Sequence, residues 1–89
     1  MKLIDYLRII FRYSSRPDFI ITIKNGIANM SSGKVSEKLV SEFSSIAKNE
    51  NISSGTIYGV KDNNRIVLEF SSSILDGDRQ RFRNALNSL

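Results

Sequence analysis

The densest run of polar side chains is Arg79-Gln80-Arg81-Phe82-Arg83-Asn84. Three guanidinium groups and two amides can grip phosphate or carboxylate oxygens in pairs, because each guanidinium presents a planar fork of N–H donors. On a helix, Arg79 and Arg83 fall one turn apart and Arg81 falls on the other side. The competing assignment is a solvated helix face, with Arg79 and Arg83 paired to Glu69, Asp76 or their neighbours. A second cationic set, Lys2, Arg8 and Arg12, sits in the first thirteen residues. These six cations are the candidate contacts for an anion or a partner.

Reaction chemistry has little to draw on. The chain has no histidine, cysteine or tryptophan. Acid–base and nucleophilic catalysis lean on His, Cys or close carboxylates, and zinc sites on Cys and His. Asp76 and Asp78 stand where a helix begins, which capping and the helix dipole explain. Glu37 and Glu42 lie on a helix with Lys38 and Lys48, a solvated face. Lys34 follows Ser32-Gly33 without the glycine spacing of a phosphate-binding loop. Tyr6, Tyr13, Phe19 and Tyr58 raise base stacking on a sheet. The glycine-aromatic strand pattern of such binders is missing, so the aromatics read as core. The expectation is a protein that is not an enzyme, with no catalytic residue, cofactor or metal.

The elements that would position these groups read as one structural plan used twice, hairpin then helix over residues 18–48 and again over 54–88. Before them, Leu3, Ile4, Leu7, Ile10 and Phe11 recur at helical spacing, with Lys2, Asp5, Arg8 and Arg12 on the other face. Ser14-Ser15-Arg16-Pro17 ends that helix. Phe19–Lys24 is rich in β-branched residues. Asn25-Gly26 follows, a strong hairpin signal, and Ile27–Met30 returns. That register puts Phe19, Ile21, Ile23, Ala28 and Met30 on the core face. After a loop at 31–34, Ser36 caps a helix whose apolar stripe is Leu39, Val40, Phe43, Ile46 and Ala47. Asn49 suits its left-handed end. Ser54–Lys61 and Arg65–Phe70 form the second hairpin around Asp62-Asn63-Asn64. A two-residue turn would align Ile57 with Ile66, Leu68 and Phe70; a three-residue turn would align Tyr58 and Val60 with them instead. Ile57 inward is favoured. Gly55 and Gly59 mark bulges or close backbone approach. Asp76 is the expected cap of the last helix, whose stripe is Phe82, Ala85, Leu86 and Leu89.

The fold class is therefore α+β. An amphipathic basic helix (residues 1–13) precedes a ββαββα domain (residues 16–89), with a four-stranded antiparallel sheet and two helices on one face. The N-terminal helix is the natural cover for the other face, which carries Ile20, Ile27 and Val67. At 89 residues the chain is one domain with a thin core. Net charge is +4, and its distribution is uneven. Residues 1–34 carry six cations and two anions, residues 35–78 four and seven, and residues 79–89 three cations alone. Basic ends suit an anionic partner. No apolar run is long enough to span a membrane or to serve as a secretory signal, so the expected location is cytoplasmic, extending to the periphery of the inner membrane.

Several segments carry a likeness to a known group. They are Arg16-Pro17-Asp18-Phe19, Ile23-Lys24-Asn25-Gly26, Ser54-Gly55-Thr56-Ile57-Tyr58-Gly59-Val60, Leu68-Glu69-Phe70-Ser71 and Gln80-Arg81-Phe82-Arg83-Asn84. Over roughly residues 16–86 the chain resembles a bacterial family of short uncharacterised proteins known only as a domain of unknown function. The Ser-Gly-x-Ile-x-Gly-Val and Gln-Arg-x-Arg-Asn pieces are the most specific. The resemblance supports the fold boundaries and brings no catalytic residue.

Function at this stage reads as a non-catalytic interaction module. Its contacts are the basic amphipathic N-terminal helix and the C-terminal arginines, and its partner is an unknown protein or a membrane surface. One alternative is a nucleic-acid-binding protein that contacts phosphates through the basic termini. Another is a self-associating structural protein, a homodimer through an apolar face or an open strand edge.

Overall fold

A computed structural model describes residues 3–88. Lys2 and Leu89, both named above, lie outside the described residues. The elements run α1 (Leu3–Tyr13), β1 (Phe19–Lys24), β2 (Ile27–Gly33), α2 (Glu37–Asn49), β3 (Ser54–Asp62), β4 (Arg65–Phe70) and α3 (Asp76–Asn87). The strands form one antiparallel sheet in the order β2-β1-β3-β4. The α+β plan is that of the sequence.

Asn25 and Gly26 turn the first hairpin at φ 54° and 78°, the left-handed geometry that a tight two-residue turn demands. Lys24 pairs with Ile27 and Ile21 with Met30, after which the register shifts. Ser31 is the extra residue, so β2 runs on to Gly33 where the sequence suggested a loop. Gly33, at φ 79°, passes so close to the Asp18–Phe19 backbone that a Cβ has no room. The second hairpin turns on Asn63-Asn64 and pairs Asp62 with Arg65. That choice sets Ile57, Leu68 and Phe70 on the same face. Gly59 is a close approach rather than a bulge, because the Phe19 ring lies on it.

Helix ends show where local signals were overruled. Ser36 caps α2 as expected, its Oγ accepting from the Leu39 N–H at 3.2 Å. The left-handed residue after α2 is Asn51 (φ 56°), not Asn49, which is still helical. Asp76 is the first residue of α3 and Leu75 occupies the cap position without a side-chain bond. The Asp76 carboxylate instead lies 3.7 Å from Arg79, one turn on.

The core sits on the face under α2 and α3. Phe19, Ile21, Ile23, Ile57, Leu68 and Phe70 meet Leu39, Phe43, Ala47 and Phe82, all buried. Phe43 and Phe82 pack edge to face at 5.0 Å. A smaller cluster, Ile20, Tyr58, Val60 and Ile9, lies on the opposite face under α1. Ile27, expected to be covered there, stays 57% exposed. Side chains also occupy backbone groups of both edge strands. Ser44 of α2 accepts from the Ala28 N–H at 2.9 Å and donates to its carbonyl at 3.3 Å. Arg8 donates to the Phe70 carbonyl at 3.4 Å.

Candidate contact surface

Helix α1 covers the second face, but not with the apolar stripe the sequence suggested. Asp5 and Ile9 are buried against the sheet, and Tyr6 and Tyr13 are half-buried. Leu3, Ile4, Leu7 and Phe11 point away at 69%, 73%, 42% and 82% exposure. The reason lies in what the sheet offers. Glu69 and the Phe70 carbonyl take polar partners from the helix, Tyr13 and Arg8, and Tyr58 packs against Ile9. Tyr13 donates to Glu69, whose carboxylate also lies 4.0 Å from Arg12. Ile9 fills the space between Ile20, Tyr58 and Val60.

Tyr6, Ile9 and Tyr13 stand at i, i+3 and i+7, so a second helical stripe was present in the sequence beside the greasier one. A helix with two apolar sides needs two partners. The sheet supplies one.

Electrostatics sharpen this interface. Burial, and then the hydrogen bond to Glu69, push the Tyr13 hydroxyl up to about 12. Burial, and then the Asp5 carboxylate, push Tyr58 up as well. Asp5 Oδ2 and Tyr58 Oη are both buried with no hydrogen-bond partner among the described residues. Each such atom forfeits hydration without full return, so this docking is less favourable than its apolar area implies.

The candidate cations have distinct fates. On α1, Arg8 reaches the Phe70 carbonyl and lies 3.6 Å from Asp5, while Arg12 is largely exposed. On α3, Arg79 is a structural pin. Its Nε donates to the Ile74 carbonyl at 2.7 Å and its Nη2 to the Ser71 carbonyl at 3.2 Å, holding the β4–α3 loop. Arg83 lies over the Phe70 ring at 5.3 Å. Arg81 turns away to Glu50 at 3.3 Å and ties α3 to the end of α2. Arg8, Arg79 and Arg83 thus all meet Phe70, Arg8 at its carbonyl and the other two at its ring, while Arg81 stands apart.

An open groove of about 510 Å³ lies between the first hairpin turn and the end of α2. Ile27, Ala47 and Ile52 give it apolar walls, and Lys48, Asn25 and Asn51 its polar rim. One ammonium and two amides make no proton-transfer pair. Among the described residues, no group of three or more carboxylates is placed to hold a metal ion. None of the helices there is long and apolar enough to cross a membrane.

Fold and surface together define a three-layer α+β domain, one helix over one sheet face and two over the other. The chain belongs to the family described as "Protein of unknown function (DUF3634)", which matches residues 3–88. No curated protein and no solved structure matched the chain.

Proposed function

We propose that this protein is a non-catalytic interaction module that presents the outer face of α1 to another molecule. One observation carries the reading. Four large apolar side chains stand 42–82% exposed on one side of a helix whose other side is docked. Contiguous exposed apolar surface of this kind marks a contact site. Arg8 and Arg12 border it and give it a basic flank, whereas Arg83 lies on α3 over the Phe70 ring, on the other face of the sheet. Arg79 and Arg81 serve the fold before they serve a partner, since both are engaged within the domain.

The test is a paired substitution, Leu7→Ser with Phe11→Ser. Neither side chain is buried, so the melting transition is expected to stay in place. Association of the full chain, scored by capture from native lysate and by light scattering, is expected to disappear. Undiminished association in the double variant would overturn the reading.

A further inference from the structure

We propose that the partner of α1's outer face is the surface of an anionic lipid bilayer, an inference that rests on the contact-module reading above. The described helix is about 16 Å long at 1.5 Å per residue, and such an amphipathic segment can lie along the plane of a bilayer. Leu3, Ile4, Leu7 and Phe11 project outward as a ridge, the form that enters the headgroup–acyl boundary.

Charge then chooses among occupants. The one carboxylate on α1, Asp5, is buried against the sheet, so the exposed charges of the described helix are Arg8 and Arg12. Arg16, exposed in the following loop, continues the series. Glu37, Glu42 and Asp76 sit on α2 and α3, across the sheet from the ridge, whereas Asp18 is exposed in the α1–β1 loop and Asp62 at the end of β3 near Tyr13. The charges that border the ridge on the helix itself are cationic, because Arg8 and Arg12 stay more than half exposed beside Asp5 and Glu69. Long arginine stems let apolar groups sink while the guanidinium stays at the phosphates. A second copy of the chain fits less well. In an antiparallel two-fold pair of α1 helices, both arginine rows fall on the same side and repel. A parallel pair would set two helix dipoles alongside each other.

Co-sedimentation of the full chain with vesicles tests this. One preparation is phosphatidylcholine alone and the other is phosphatidylcholine mixed with phosphatidylglycerol. The expected result is binding to the mixed vesicles, roughly tenfold or more weaker on the neutral ones, and weakened by added salt. Leu7→Ser/Phe11→Ser is expected to lose binding to the mixed vesicles by about tenfold or more, with its melting transition unchanged. Arg12→Gln is expected to weaken binding to the mixed vesicles alone. Absence of sedimentation with mixed vesicles, or equal sedimentation of the double variant, would overturn the lipid assignment. Light scattering and lysate capture on the same two proteins separate the two levels. If vesicles fail while the double variant abolishes self-association or protein capture, the lipid assignment falls and the contact module stands. If the double variant changes none of the three, both fall.

Discussion

The two faces of the sheet are covered in chemically different ways. Under α2 and α3, Phe19, Ile21, Ile57 and Phe70 meet Phe43 and Phe82 in a dry, fully buried layer. Under α1 the cluster is small, bordered by two half-buried tyrosines, and includes the Asp5 and Tyr58 oxygens that find no hydrogen-bond partner. The first interface is the kind that sets global stability, through apolar area and close packing. The second is the kind that opens first, because a few apolar contacts and a few polar ones hold it. A helix held modestly on one side and greasy on the other is suited to contact, whereas α2 and α3 spend their apolar faces inside the domain.

Substitutions that separate the two interfaces break or sharpen that contrast. The largest effect is expected in the dry layer. Phe82→Ala removes a fully buried ring that packs on Phe43 and Phe70, at a cost of about 3–5 kcal/mol. Urea denaturation is expected to show the whole domain lost or nearly so, since a domain this small has little stability in reserve. Ile9→Ala comes next, at about 2 kcal/mol, the lower end for a buried isoleucine. Its signature is local. Amide exchange is expected to quicken in α1 and leave α2, α3 and the sheet protected.

A pH effect is smaller and confined to the alkaline range. Tyr13 has a folded value near 12 against an ordinary 10, so the fold holds its proton more tightly than the unfolded chain does. Its contribution is full below pH 10 and is lost as pH rises through about 12. Alkaline titration of α1 protection should therefore fall across that window, and Tyr13→Phe should flatten the fall. A wild-type curve with no change between pH 10 and 12 would break the link between this hydroxyl and helix docking. The smallest stability effect is expected for Phe11→Ser, within about 0.5 kcal/mol in urea, because the ring packs on little of the domain.

Much of this architecture was legible in the sequence, for local reasons. Asn25-Gly26 demanded its turn, Ser36 its helix start, and the alternation of Phe19, Ile21 and Ile23 its inward face. The less legible features were set by distant partners. Periodicity located a greasy stripe on α1, but which side docks depended on what Tyr58 and Glu69 present, and those residues lie more than forty positions away. Asp76 looked like a cap until Arg79, anchored on the Ile74 and Ser71 carbonyls, stood beside its carboxylate. Asn49 and Asn51 both tolerate the left-handed conformation. The Ile52 N–H bond to the Ala47 carbonyl accompanies the turn at Asn51. Of the proposed contact surface, the cations Arg8 and Arg12 were visible at once. The exposure of Leu7 and Phe11 was one of two readings, because an apolar stripe suits the sheet as well as a partner, and local spacing does not choose between them.

The orientation of α1 is the claim on which the rest depends, and the chain's lack of cysteine makes it directly measurable. Single-cysteine variants at Ile9 and Phe11 would be exposed to a water-soluble thiol reagent under native conditions, with the urea-unfolded chains as reference. Phe11→Cys is expected to react at close to its unfolded rate and Ile9→Cys to be strongly protected. Protection at position 11 with free reaction at position 9 would contradict that orientation.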